Sequence, residues 1–172
     1  MPHFSKASID RLETCHPLLQ EVCNEAIKDY DFMVVYGHRE EADQNEAYAT
    51  GRSKLKWPNS KHNSTPSIAV DLAPVKYVDG KATIPWNDIP EFRRMAMHIM
   101  NVANNKGISL EWGGSWVSFK DYPHFQLTKE VQNGKYYFCP ARQENIHRCS
   151  DYNYSDAAYK VCRHSNTWLY CR

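Results

Sequence analysis

The sequence predicts an α+β fold, because helical and strand-like segments are interspersed and the strand-like ones are too short and unevenly spaced for repeated βαβ units. The chain has 172 residues, which suits one domain with a small appendage. Hydrophobic residues make up 42% of it and charged residues 24%, as in a folded globular protein. We expect a domain over residues 1–128, followed by a C-terminal extension or small subdomain over residues 129–172.

The first half of the domain is predicted to alternate helices with two buried strands. In order, the expected elements are a short turn near 8–12, a helix from 17 to about 30, a strand at 32–36, a helix at 40–49 and a strand at 67–73. Leu18, Val22 and Ala26 share one face of the first long helix. The two strands are apolar runs that end at Gly37 and at Pro74.

The clearest helix is expected from about Ile89 to Lys106. Asp88 is placed to cap its start, and Gly107 follows its end. Its core-facing stripe comprises Phe92, Met95, Ile99, Val102 and Ala103. Two short strands, at 108–112 and 122–127, are predicted on either side of a Gly113-Gly114 turn.

Charge and hydropathy exclude several classes of protein. The formal net charge is +1, from 21 Lys and Arg against 20 Asp and Glu, whereas nucleic-acid binders need a basic excess. The mean hydropathy is −0.69 and no apolar run is long enough to span a membrane. The segment Met1–Lys6 does not resemble a signal peptide. We therefore expect that the protein binds no nucleic acid and does not insert into a membrane. We also expect a monomer.

The composition changes after about Thr128. Residues 129–172 hold four of the six cysteines and eight of the 22 aromatic residues. These cysteines lack the paired spacing of a zinc ribbon, and disulfide pairing among them stays open. The aromatic residues would either extend the core or form a stacking surface. Cys15 and Cys23, near the N-terminus, are expected to be buried thiols.

Three residues, His62, Asp71 and His124, are candidate metal ligands. Imidazole nitrogen and carboxylate oxygen both suit zinc, and three protein ligands leave a fourth position for water. Asp121, three residues before His124, could take a proton from that water. Arg39, at the end of a buried strand, could stabilise a developing oxyanion. Spacing alone leaves a simpler interpretation open, with surface or capping histidines and an aspartate that closes a strand.

Several motifs, in order along the chain, carry a resemblance to a known family. They are Tyr36-Gly37-His38-Arg39, Ser60-Lys61-His62, Ala69-Val70-Asp71, Trp112-Gly113-Gly114-Ser115-Trp116 and Asp121-Tyr122-Pro123-His124-Phe125. Together they resemble the zinc D-alanyl-D-alanine carboxypeptidase and L-alanyl-D-glutamate endopeptidase family, most of all its phage endolysin branch. The resemblance covers roughly residues 8–128.

This resemblance implies a Hedgehog/DD-peptidase-like fold, with a small central antiparallel sheet and flanking helices. It implies zinc held by His62, Asp71 and His124, with Asp121 as general base and Arg39 at the oxyanion. Ser60 and Gln44 would contact the peptide, and Trp116 is a further candidate for the substrate cleft. Glu111 is an alternative candidate for the general base.

The expected function is a zinc metallopeptidase that hydrolyses peptidoglycan stem peptides, as an L-alanyl-D-glutamate endopeptidase acting as a phage endolysin. Two alternatives are a D-alanyl-D-alanine carboxypeptidase and a non-catalytic zinc-containing wall-binding module. A third and weaker alternative is a metal-dependent nuclease, which the near-zero net charge of the chain disfavours. Such an endolysin would be made in a host cytoplasm and act on the cell wall after release.

Overall fold

The structure, a computed structural model, describes residues 2–128, 160–164 and 167–171. Its helices are α1 (Lys6–Leu12), α2 (Pro17–Ala26), α3 (Glu41–Ala49) and α4 (Ile89–Asn105). Its strands are β1 (Phe32–Tyr36), β2 (Ala69–Pro74), β3 (Lys76–Val78), β4 (Lys81–Thr83), β5 (Leu110–Trp112), β6 (His124–Leu127), β7 (Lys160–His164) and β8 (Thr167–Cys171). Two 3₁₀ turns lie at Lys61–Asn63 and Gly113–Ser115.

A four-stranded antiparallel sheet organises residues 1–128, in the order β1-β2-β6-β5. Val34 of β1 pairs with Leu72 of β2, and Asp71 of β2 pairs with His124 of β6. Side chains alternate between the two faces of a strand, so Asp71 points to the face opposite Val70 and Leu72. The register therefore brings an aspartate and a histidine side by side, on one face of the sheet.

The helices supply the apolar layer that covers the sheet. The side chains of α4 that face the core are Phe92, Met95, Ala96, Ile99 and Ala103. They pack against α2, and α4 also contacts β2 and β5. Val102, predicted in the same stripe, is only half-buried. Asp88 caps α4 by accepting a hydrogen bond from the Glu91 N–H, as predicted.

Some elements differ from the predicted ones. The helix expected to run from Pro17 to Tyr30 ends at Ala26, and Lys28 and Asp29 then bond to carbonyls three residues back. The turn expected near 8–12 is a seven-residue helix, α1. The exposed hairpin of β3 and β4 was not predicted at all.

Internal contacts divide the chain into residues 1–128 and 129–172. In the second unit, β7 and β8 pair as antiparallel strands. Cys139, Cys149 and most of the aromatic residues of the extension lie outside the described residues, so the predictions about them stay predictions. Cys15 and Cys23 are buried free thiols, as expected. Among the described residues, no helix is both long and apolar enough to cross a membrane.

Candidate metal centre and active-site cleft

His62, Asp71 and His124 come together from three different elements. His62 lies in the 3₁₀ turn after Ser60, Asp71 is central in β2, and His124 begins β6. The His62 Nε2, Asp71 Oδ1 and His124 Nδ1 atoms form a triangle in which each pair is 3.2 Å apart. All three side chains are largely withdrawn from solvent.

This triangle has the dimensions of one face of a metal tetrahedron. At metal–ligand distances of about 2.0–2.1 Å, two ligand atoms of a tetrahedral ion are about 3.3–3.4 Å apart. The observed 3.2 Å separations are close to that spacing. The three side chains can therefore hold one metal ion and leave its fourth position open.

A backbone carbonyl orients the His62 ring. Its Nδ1 atom lies 2.7 Å from the Gly37 carbonyl oxygen, which only accepts hydrogen bonds, so Nδ1 carries the hydrogen. The Nε2 lone pair of His62 consequently faces Asp71 and His124. Such outer hydrogen bonds fix the tautomer of a metal-binding histidine.

A chain of side chains orients His124. Its Nε2 donates to Gln126 Oε1 at 3.1 Å, and Gln126 Nε2 donates to Glu111 Oε2 at 2.8 Å. The other Glu111 oxygen accepts from Trp116 Nε1 at 2.6 Å. Because the Gln126 amide is fixed at both ends, the Nδ1 atom of His124 is left as the metal-facing one.

This chain changes the role of Glu111 and adds Gln126 to the site. Both Glu111 oxygens are engaged by Trp116 and Gln126, which favours Asp121 over Glu111 as the candidate base. The sequence analysis missed Gln126. The sequence feature that could have identified Gln126 is the alternation of side chains along β6, which places residues 124 and 126 on the same face of the strand. Glu111 lies directly opposite Gln126 in the sheet register.

The electrostatics of the triangle favour a bound cation. Burial alone would raise the pKa of Asp71, but the two imidazoles hold that pKa well below its usual range. Burial would lower the pKa of His124, yet its hydrogen bond to Asp71 raises it above the ordinary value. Two imidazole lone pairs and a carboxylate that face one another require a proton or a metal ion between them.

Arg39 forms a hydrogen-bonded ion pair with the second carboxylate oxygen of Asp71, Oδ2. Its Nη2 donates to Asp71 Oδ2 at 3.1 Å, and its Nη1 donates to Gln44 Oε1 at 3.2 Å. The guanidinium also lies over the Tyr36 ring, 4.8 Å from the ring centre. Arg39 thus fixes the carboxylate of a candidate metal ligand, while it still lines the cleft.

Gln44 lies beneath the site rather than on its surface. Its side chain is fully buried, and its Nε2 donates to Ser53 Oγ at 2.9 Å and to the Leu55 carbonyl at 2.6 Å. The predicted contact between Gln44 and a peptide is therefore corrected: Gln44 links Arg39 to the segment at 53–55. Burial of this kind cannot be recognised from a polar helical sequence such as α3.

Asp121 stands at the cleft beside the candidate ligands. Its backbone carbonyl accepts from the His124 N–H at 3.3 Å. A Cβ atom at Gly113 would come within 2.6 Å of the Asp121 carbonyl oxygen, so only glycine allows this approach. Burial and the negative charge of Asp71 raise the pKa of Asp121 above its ordinary value. A carboxyl group with a raised pKa is suited to proton transfer.

The candidate ligands lie in the wall of a cleft of about 350 Å³. Ser60 and Trp116, both predicted to contact substrate, line this cleft. The Ser60 hydroxyl also caps the 3₁₀ turn by accepting from the His62 N–H at 3.3 Å. The Trp116 ring packs against His124, with ring centres 5.2 Å apart. Together, the metal-binding triangle, the adjacent carboxylate and the cleft fit a metal-dependent hydrolase.

Comparison with known proteins then assigns the chain to a protein family. A family model described as "Phage L-alanyl-D-glutamate peptidase" matches residues 1–136. The chain belongs to this family. The resemblance seen in the motifs is thereby confirmed, and so is the predicted function of an L-alanyl-D-glutamate endopeptidase.

Two relatives agree with the assignment to the phage L-alanyl-D-glutamate peptidases. The peptidoglycan L-alanyl-D-glutamate endopeptidase CwlK of Bacillus subtilis (strain 168) is 29% identical over 128 residues, which cover 65% of this chain and 72% of CwlK. The crystal structure of the Serratia marcescens L-Ala D-Glu endopeptidase ChiX has a TM-score of 0.62 and 30% identity, and the match covers 76% of this chain and 94% of ChiX. The similarity to ChiX supports the α+β fold with its small antiparallel sheet.

Proposed function

We propose that the protein is a zinc enzyme that hydrolyses the L-alanyl-D-glutamate bond of peptidoglycan stem peptides. The observation that carries the proposal is the triangle of His62, Asp71 and His124, with Asp121 beside it in a cleft. Membership of the peptidase family supplies the scissile bond. The name of CwlK supports peptidoglycan as the substrate. The small antiparallel sheet with its flanking helices supports the Hedgehog/DD-peptidase-like form of the fold as part of the proposal.

Zinc fits the ligand set better than calcium or magnesium does. Two imidazoles and one carboxylate are ligands that zinc binds at about 2.0–2.2 Å, whereas calcium and magnesium prefer oxygen atoms only. When bound, zinc would supply Lewis acidity toward the scissile carbonyl and toward water. His62, Asp71 and His124 would hold it, and the hydrogen bonds of His62 to Gly37 and of His124 to Gln126 would keep their rings in place.

Asp121 acts as the proton carrier in this proposal. It accepts a proton from the attacking water and delivers it to the amino group of the departing D-glutamate residue. The raised pKa of Asp121 brings its proton affinity closer to that required for both steps. Gly113 allows the Asp121 backbone and the His124 Cβ atom to approach closely, because it adds no side chain there.

Arg39 has two tasks in the proposed site. Its hydrogen bond to Oδ2 holds Asp71 in an orientation in which Oδ1 would be free to bind a metal ion. From the cleft wall, its positive charge also stabilises the negative charge that develops on the scissile carbonyl oxygen. Ser60 and Trp116 then form the nearby surface against which the peptide lies.

The setting that suits this activity is phage lysis. The protein would be made in the host cytoplasm as a monomer and would reach the cell wall after release by another factor. The phage description of the family supports the role in phage lysis.

The decisive experiment combines metal analysis with products from purified peptidoglycan. We expect about one zinc per chain and new peptides that begin with D-glutamate, identified by mass spectrometry. Release of free D-alanine instead would show the carboxypeptidase alternative, and no release with zinc bound would show a binding module.

The role of Asp121 is tested by Asp121→Asn, which keeps the shape of the side chain and removes its basicity. We expect kcat to fall by about 10²–10⁴-fold with zinc content unchanged. Asp79→Asn is the matched control, since Asp79 lies in the exposed turn between β3 and β4. Equal loss of activity in both variants would contradict the assignment.

A further inference from the structure

The cleft is lined by more positively charged side chains than the one, Arg39, that contacts a candidate metal ligand. Its lining cations are Arg39, Arg52, Lys54 and Lys61, against the acids Asp71 and Asp121. Arg39 is paired with Asp71, and Arg52 is paired with Glu46 at 2.9 Å. Lys54, in contrast, has no carboxylate within 4.0 Å among the residues that the structure describes. Its charge is therefore available to a ligand in the cleft.

A contact with Phe119 holds Lys54 at the cleft. Its Nζ atom lies over the Phe119 ring, 5.3 Å from the ring centre, and Phe119 lines the cleft as well. A cation placed over an aromatic face is attracted by the ring and loses part of its freedom. The aromatic ring leaves the hydrogen-bond donors of the ammonium unused, because it offers no oxygen acceptor.

The backbone on both sides of Lys54 is anchored to the metal site. Gln44 Nε2 binds Ser53 Oγ and the Leu55 carbonyl, and the Ser53 N–H donates to the Ala47 carbonyl at 2.9 Å. Gln44 Oε1 accepts from Arg39, which in turn holds Asp71. A buried network therefore fixes the position of Lys54 relative to the candidate metal ligands.

The substrate chemistry provides a matching anion. Glutamate has two carboxyl groups, and the peptide chain can continue through only one of them. The D-glutamate residue whose amino group departs therefore keeps one free carboxylate close to the scissile bond. We infer that Lys54 binds this carboxylate and so determines specificity for glutamate on the departing side; the inference rests on the proposed function.

This contact would contribute to discrimination between an acid and an amide. A carboxylate accepts a charge-assisted hydrogen bond from the ammonium, whereas a primary amide in its place carries no charge. Because Lys54 is exposed, water screens part of the attraction, and a factor of about tenfold in kcat/KM is expected.

The test uses the zinc-loaded full chain and two synthetic peptides with the same L-alanyl-D-glutamyl bond. One peptide has the free carboxylate on the glutamate, and the other has the primary amide there. Lys54→Met keeps an aliphatic chain over Phe119 and removes the charge. Lys56→Met is the matched control, because Lys56 lies over the Tyr48 ring at 5.1 Å in the same segment but does not line the cleft.

We expect the wild type and Lys56→Met to prefer the acid peptide by about tenfold in kcat/KM. Lys54→Met should lose this preference, mainly through a higher KM for the acid peptide, and Lys54→Arg should recover part of it. An unchanged preference in Lys54→Met, or an equal loss on both peptides, would overturn the inference while leaving the proposed function intact. If the wild type cleaves neither peptide, the proposed function itself fails and the inference falls with it.

Discussion

Gln126 shows how a residue outside the triangle of His62, Asp71 and His124 can control the site. Its carbonyl oxygen accepts from His124 Nε2, and its amide is fixed by Glu111. We predict that Gln126→Leu weakens zinc affinity by about 10–100-fold, because the His124 ring loses its orientation and its preferred tautomer. Competition with a chromogenic chelator measures this affinity. Thermal melts in chelator serve as the control, since a leucine there should leave the metal-free fold intact.

Protons should compete with zinc for His124. The pKa of this imidazole is raised, chiefly by the hydrogen bond to Asp71 acting against burial. The proton therefore stays bound to a higher pH than on an ordinary histidine, and zinc must displace it. The apparent affinity should fall about tenfold per pH unit once the pH drops below the raised pKa. Asp71, whose pKa is held well below its usual range, stays ionised throughout.

A titration of zinc affinity from about pH 8 to about pH 5 checks this prediction. Gln126→Leu provides the comparison, because the Gln126 hydrogen bond also contributes to the raised pKa of His124. In that variant the onset of competition should move to lower pH. An affinity independent of pH over this range would contradict the assignment of His124 as a ligand.

At the scale of elements, the 3₁₀ turn Gly113–Ser115 sets the distance between Asp121 and His124. A Cβ atom at Gly113 would meet the Asp121 carbonyl oxygen at 2.6 Å and the His124 Cβ atom at 3.1 Å. We predict that Gly113→Ala lowers kcat by about 10²-fold, because small displacements of catalytic groups are costly. Steady-state kinetics on the acid peptide measures the effect.

Gly107→Ala is the matched control for this prediction. Gly107 follows α4 with φ at 68°, and nothing lies within 4 Å of a Cβ atom added there. Alanine should therefore cost only about 1–2 kcal/mol of stability through backbone strain, with activity retained. Comparable losses of kcat in the two variants would show that the Gly113 contact does not set the catalytic geometry.

The same elements show what the sequence can and cannot predict. α4 was predictable because its apolar period, its capping aspartate and its terminal glycine all agree. The hairpin of β3 and β4 was missed because all its residues are exposed, which removes the alternating apolar pattern. The proximity of the candidate metal ligands could be predicted from motifs, whereas the burial of Gln44 depends on tertiary packing that no local pattern records.

For the molecule as a whole, we predict that metal binding and folding are coupled. His62, Asp71 and His124 lie far apart in sequence and form a triangle only in the folded chain, so zinc bound there would stabilise the folded state preferentially. Without a metal ion, the folded state retains two facing imidazoles and a buried carboxylate. Removal of zinc should therefore lower the stability of the protein, and its return should restore it.

The size of this coupling can be predicted from mass action. Free zinc at about 100 times its dissociation constant adds about 2.7 kcal/mol, which should raise the midpoint of thermal unfolding by about 5–10 °C for a chain of this length. Differential scanning fluorimetry with and without chelator measures the shift.

His62→Ala should abolish the shift, because the candidate metal site loses one of its three ligands. Asp121→Asn should retain it, because Asp121 lies beside the ligands and is not one of them. Loss of the shift in Asp121→Asn would make Asp121 a ligand, and its persistence in His62→Ala would place the metal elsewhere.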